Sequence, residues 1–136
     1  MNRQIYFFDV IAFLGGVAAV SIHTPWGPRF YAGMALMAVS FVLWMTARIQ
    51  LGGSFAVRAE ARKLITTGLY SKFRNPIYVF GQLAYLGLAI AWGAAVGFVI
   101  FACIIPLQVL RAKKEEAVLE QAFGDEYRTY KSRTIL

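Results

Sequence analysis

The stretch IYVFGQLAYLGLAIAWGAAVGFVIFACIIPLQVL, residues 77–110, decides the fold. It carries no charged residue. As one straight helix it would reach about 50 Å, well past the roughly 30 Å hydrocarbon core of a bilayer. Two short helices in a hairpin, 77–92 and 94–110, fit the length. Trp92-Gly93 is the expected turn, because glycine permits a tight reversal and tryptophan favours the membrane interface. Each half is near the lower length limit for a crossing, so the pair either thins the bilayer or stops short of a full span. Pro106 is expected to kink the second half.

Upstream lie two further apolar segments, 5–22 and 30–47. His23-Thr-Pro-Trp-Gly-Pro28 joins them with two prolines and a glycine, a turn composition. Trp26 reads as an interfacial anchor and His23 as a solvated loop residue. The expectation is an all-α, integral membrane helical bundle of about four transmembrane helices. It has a cytoplasmic loop at 48–76 and a cytoplasmic C-terminal helix at 111–130. Composition agrees: of 136 residues, 59% are hydrophobic and 15% charged, outside the soluble norm. One domain, 1–136, suffices at this length. No small-residue cleavage site follows the first segment, so it reads as a retained helix rather than a removed signal.

The chain carries a net charge of +7, and its placement sets the topology. Of the 14 Lys and Arg residues, all but Arg29 fall on one side of a four-span arrangement. Arg3 precedes the first span. Arg48, Arg58, Arg62, Lys63, Lys72 and Arg74 lie between the second and third. Arg111, Lys113, Lys114, Arg128, Lys131 and Arg133 follow the fourth. The positive-inside rule then places both termini and the long loop in the cytoplasm; the expected location is the inner membrane of a bacterial or archaeal cell. So distributed, the charge is a topology signal and an attraction to anionic lipid rather than a nucleic-acid surface. A single cysteine, Cys103, and a single histidine argue against a disulfide or a multi-ligand metal site. Cys103 reads as an inert packed thiol. Asp9, one turn into the first span, reads as a structural acid close to the headgroups.

Two polar motifs bracket the hairpin. The first is Arg74-Asn75-Pro76-Ile77-Tyr78. Pro76 suits the first position of a helix, where its missing N–H costs nothing. Arg74 and Asn75 would then stand at a helix N-terminus with donors aimed toward an anion. Arg74 can fork onto a carboxylate, and Asn75 can both donate and accept, as an adenine edge requires. The second motif is Glu115-Glu116-x-x-Leu119-x-x-x-Phe123-Gly124-x-x-Tyr127-x-x-Tyr130. On a helix, Glu116, Leu119 and Phe123 share one stripe. Gly124 can end that helix, Asp125 can start another turn, and Tyr127 and Tyr130 share a face. If the hairpin enters the membrane and returns, both motifs meet at one membrane face.

These motifs resemble the signatures of the isoprenylcysteine carboxyl methyltransferase family and the related phospholipid methyltransferases. Leu64-Ile-Thr-Thr-Gly-Leu-Tyr-Ser-Lys-Phe-Arg-Asn-Pro-Ile-Tyr78 is similar to L-V-T-x-G-I-Y-x-x-x-R-H-P-x-Y-x-G, with Asn75 in place of histidine and Gly81 one position late behind Phe80. The second signature, E-E-x-x-L-x-x-x-F-G-x-x-Y-x-x-Y, is met without a gap from Glu115 to Tyr130. The resemblance implies S-adenosylmethionine as cofactor. It implies a cofactor site drawn from Tyr70, Arg74, Asn75, Pro76, Tyr78, Gln108, Arg111, Glu115, Glu116, Leu119 and Tyr127, with Arg74 and Glu116 positioning the reaction. Arg74 or Arg111 would take the cofactor carboxylate, and Glu115 or Glu116 its ammonium or ribose hydroxyls. Tyr78 and Tyr127 would offer aromatic faces to the sulfonium.

The implied reaction is in-line methyl transfer to a lipophilic, isoprenoid- or lipid-like acceptor at the cytoplasmic face, with carboxyl O-methylation one form of it. Such transfer depends chiefly on alignment in a dry site. A carboxylate acceptor needs no general base, whereas an amine must be neutral when it attacks; no base is assigned, nor any metal. Two other classes remain on sequence alone. One is a membrane reductase of the sterol-reductase kind using NADPH. The other is a non-enzymatic small membrane protein, for which Gly93-x-x-x-Gly97 would serve helix association.

Overall fold

The computed structural model describes residues 3–52 and 64–136. Arg58, Arg62 and Lys63, and the side chains of Arg3 and Asp9, lie outside that description, and with them the expectations placed on them. Among the described residues are five α-helices and one 3₁₀ turn: α1 Arg3–His23, α2 Pro28–Leu51, the 3₁₀ turn Gly68–Ser71, α3 Pro76–Trp92, α4 Ala95–Phe123 and α5 Asp125–Arg133. The chain is all-α, as its apolar patterning predicts.

Proline starts two of the helices. Pro28 and Pro76 occupy the first turns of α2 and α3, where a missing N–H is harmless. The Trp26 indole donates to the Ser21 carbonyl at 2.9 Å, satisfying one of the acceptors left over at the end of α1. The hairpin turn falls where expected. Gly93 ends α3 with φ +70° in the left-handed region, which an L side chain adopts only with strain.

α2 and α3 form the centre of the bundle, antiparallel and in backbone contact. Gly33 lies against Ala91 and Gly87, and Gly87 against Met37. A Cβ at Gly87 would sit 2.5 Å from the Met37 nitrogen, so these helices approach this closely only because both positions lack side chains. Below this contact Ala47 and Leu51 pack with Tyr70, Leu69 and Ile77. α1 leans on the pair through Phe13, whose ring stacks on Phe41 at 5.0 Å and meets Tyr85 edge-on at 5.8 Å. Phe80, which displaces the expected glycine, is buried and edge-on to Phe73. Gly81 faces the Trp44 indole.

α4 differs from the other long helices. Along its 29 residues only Gly97 and Leu119 are buried, while Val96, Phe98, Val99, Ile105, Leu107, Val109 and Leu110 are exposed. A continuous apolar face of this kind suits lipid rather than water. By length and composition α2 and α4 can cross a membrane; Val10–His23 and Pro76–Trp92 are shorter apolar helices.

Two expectations are revised. The fourth span and the C-terminal helix are not separate elements at 94–110 and 111–130. α4 runs unbroken through Pro106 to Phe123, and the break comes at Gly124, with φ +51°. At about 43 Å this helix outreaches the hydrocarbon core, so its last turns carry Glu115 and Glu116 clear of the apolar stretch. Cys103 is exposed on α4 rather than packed, because it lies on the outward side of that helix with Val99, Pro106 and Leu107, which are exposed as well.

Candidate functional site

The hairpin brings its two feet together. Arg74 and Asn75 precede α3, and Glu115 and Glu116 follow the apolar part of α4. Arg74 Nε donates to Glu116 Oε1 at 2.7 Å and Asn75 Nδ2 to the same oxygen at 3.1 Å. One turn on, the Tyr78 hydroxyl donates to Glu115 Oε1 at 2.6 Å. α5 then returns past Gly124 and delivers Lys131, whose ammonium donates to Glu116 Oε2 at 3.1 Å. Glu116 thus joins three chain segments at the N-terminal end of the α3 dipole, a favourable place for an anion.

The electrostatics follow from those partners. Partial burial alone would raise the Glu116 pKa. Hydrogen bonds from Lys131 and Asn75 and the charges of Arg74 and Lys131 together outweigh it, and hold the carboxyl below its ordinary value of 4.5. Arg74 and Glu116 each keep 18% of their side-chain surface exposed. The ion pair is therefore shielded but remains reachable from the aqueous side.

Sequence reasoning expects the Arg74-Asn75 donors to face an external anion. In the structure the side-chain donors hold Glu116 instead. The backbone donors are also occupied, Arg74 N–H by the Ile135 carbonyl at 3.0 Å and Asn75 N–H by the Leu136 carbonyl at 2.7 Å. Ile135 N–H donates in turn to the Lys72 carbonyl at 2.9 Å, so residues 134–136 lie along the entry to α3 as a short parallel strap. Neither Lys131 nor this strap was expected. Both depend on the chain turning back at Gly124, a residue the spacing marked as a helix end without showing where the next helix would travel.

The other expected residues divide into two groups. Tyr70, Leu119 and Tyr127 are almost wholly buried, Tyr70 against Ala47 and Leu51 and the other two with Tyr130. The Tyr130 hydroxyl donates to the Tyr70 carbonyl at 2.8 Å, tying α5 to the 3₁₀ turn. In this arrangement these three residues pack the floor that carries the polar cluster. Pro76 is buried at the start of α3. Arg111 is exposed one turn before Glu115, and Gln108 is partly buried about 10 Å deeper along α4 than Glu115.

One polar group of the cluster is left over. The Asn75 side-chain oxygen is buried and has no hydrogen-bond partner among the described residues. An amino group on a ligand would satisfy it. Arg111 adds a cation one turn away, and carboxylates stand beside both.

Residues 28–126 match the family described as phospholipid methyltransferase. The chain is also similar to protein-S-isoprenylcysteine O-methyltransferase of Schizosaccharomyces pombe, 29% identical over 108 residues. That alignment covers 75% of this chain and 46% of the yeast protein, so the chain spans about half the length of this curated relative. No solved structure matches it.

Proposed function

The chain belongs to the phospholipid methyltransferase family, and on that premise we propose that it is an integral-membrane methyltransferase using S-adenosylmethionine. Its acceptor is a lipophilic molecule that arrives from the bilayer, while the cofactor arrives from the cytosol. The observation that carries this reading is the meeting of the two feet, Arg74, Asn75 and Tyr78 against Glu115 and Glu116. It places a polar, charged cluster at the base of helices whose outer faces are apolar.

In this reading α1, α2, α3 and α4 all cross the membrane, and the cluster stands at the cytoplasmic face. The basic bias supports that orientation. S-adenosylmethionine, when bound there, would supply a methyl group activated by its cationic sulfur. The chain's own residues bind and align. The Asn75 oxygen accepts from the adenine amine, and Arg74 and Arg111 are placed for the amino-acid carboxylate. Glu115, oriented by the Tyr78 hydroxyl, takes ammonium or ribose hydroxyl donors. Glu116 acts chiefly as a positioning residue, because its oxygens hold Arg74, Asn75 and Lys131 in register. Nothing in the cluster needs to remove a proton if the acceptor is a carboxylate, which is already nucleophilic.

The test is calorimetric titration of the purified protein in detergent. Heat with S-adenosylmethionine or its demethylated product, and none with NADPH, is the expected result. Heat with NADPH alone would favour a reductase, and heat with none of them a non-enzymatic protein. Transfer of labelled methyl into a total lipid and protein extract would then identify the acceptor.

A further inference from the structure

Buried polar groups without partners are rare in folded proteins and call for a reason. Two of them lie in the apolar part of the hairpin: both side-chain polar atoms of Gln82 and the side-chain oxygen of Gln108 are buried with no hydrogen-bond partner among the described residues. Helical spacing puts them on one seam. On α3, positions 78, 82, 85, 89 and 92 share a face; on α4, positions 97, 101, 104, 108 and 115 do the same. The seam is fixed at its foot by the Tyr78–Glu115 hydrogen bond and at its top by Gly97 against Trp92 and Ala89. Between those contacts Gln82 stands about one turn above Tyr78 and Gln108 about two turns above Glu115.

Above the glutamines the same seam opens into an apolar groove of about 350 Å³. Tyr85, Leu88, Trp92, Phe101 and Ile104 line it, and Val20 of α1 closes one side. From top to foot the seam thus passes from an apolar groove, through two neutral amides, to the charged cluster. This is the polarity profile of a lipid with its head toward the cytoplasm.

We infer that the α3–α4 seam is the acceptor site, with the groove holding one apolar chain and the Gln82 and Gln108 amides holding the polar head next to the methyl donor. The inference rests on the methyltransferase reading and deepens it. Gln108 is thereby assigned to the acceptor rather than to the cofactor. The groove's volume is at the small end of ligand pockets, which suits a single prenyl or acyl chain rather than a two-chain phospholipid. The orphaned atoms are two amide oxygens, which accept, and one amide nitrogen, which donates, so the matching head both donates and accepts, as a hydroxyl or a protonated carboxyl does. A fixed-charge choline head offers no hydrogen to donate and is a poor match.

The probes are hexadecanoic acid and hexadecanol, each with a diazirine at the chain end, photolysed with the protein in mixed micelles and mapped by mass spectrometry. Adducts are expected to concentrate on residues 85–92 and 97–104. Gln82→Leu should cut them about tenfold, the loss expected for a hydrogen bond to a polar head. The same variant should keep its heat with S-adenosylmethionine and melt no lower than the wild type, since it removes a buried polar group without a partner. That combination separates a binding role from a structural one. Ile104→Trp, which fills the groove, gives a second variant expected to lose the adducts. Adducts spread evenly over the outer faces of α2 and α4, or unaffected by both substitutions, would overturn the inference. Groove adducts in a protein that gives no heat with S-adenosylmethionine would support the groove as a lipid site and count against the methyltransferase reading alone.

Discussion

Glu116 is the residue on which the cluster turns. It accepts from Arg74 and Asn75 through one oxygen and from Lys131 through the other, so its ionised form holds the entry of α3, the end of α4 and α5 together. Its pKa is lowered in the folded protein. The stability it contributes is therefore fully present above the ordinary carboxylate value of 4.5 and is lost as pH falls through the lower folded value. Glu116→Gln should remove this contribution. The stability difference between wild type and variant, followed by thermal melting in detergent, should stay level above about pH 5 and shrink on acidification. The substitution also loosens Arg74 and Asn75, and should weaken S-adenosylmethionine binding about ten- to hundredfold by calorimetry, the range for losing a charge-assisted hydrogen bond. A pH-independent stability difference would show that the ionised carboxylate is not the link.

At the scale of the element, the contact between α2 and α3 sets where the site stands, because α3 carries Arg74, Asn75 and Tyr78 at its lower end. That contact depends on Gly33 and Gly87. A Cβ at Gly33 would meet the Gly87 carbonyl oxygen at 2.5 Å, a backbone atom that cannot turn aside. Gly33→Ala should force the helices apart and lower stability by about 1–3 kcal/mol, the usual range for overpacking. Gly15→Ala, whose added carbon meets nothing within 4 Å, is the control and should melt like the wild type or slightly higher. The strap at residues 134–136 belongs to this scale as well. Deleting Ile135 and Leu136 removes three backbone hydrogen bonds to Lys72, Arg74 and Asn75. The expected outcome is weaker cofactor binding with most of the helix content retained by circular dichroism. Unchanged affinity would show that Glu116 and Lys131 suffice to hold the entry to α3.

For the whole molecule, the proposed four crossings put the 24–27 turn and the polar cluster on opposite sides of the membrane. In a Cys103→Ala background, Pro25→Cys should react with an impermeant maleimide in intact cells, and Lys113→Cys only after lysis. Labelling of both from one side would overturn the four-span arrangement. Much of this architecture is legible in the sequence because its causes are local. Apolar run length decides that 77–110 folds as a hairpin, Gly93 and Trp92 mark its turn, and Pro28 and Pro76 start helices. The paired motifs likewise indicate that the hairpin's feet carry the polar chemistry. Partners distant in sequence are another matter. That Arg74 and Asn75 grip Glu116 rather than facing outward, that Lys131 completes the clasp, that Tyr127 is packed away and that the Gln82 and Gln108 amides are buried without partners among the described residues all depend on how helices dock and on where α5 travels after Gly124. Periodicity and composition act within a turn or two of helix, whereas the contacts at Glu116 join residues between 15 and 42 positions apart, and only the packed bundle decides which of them meet.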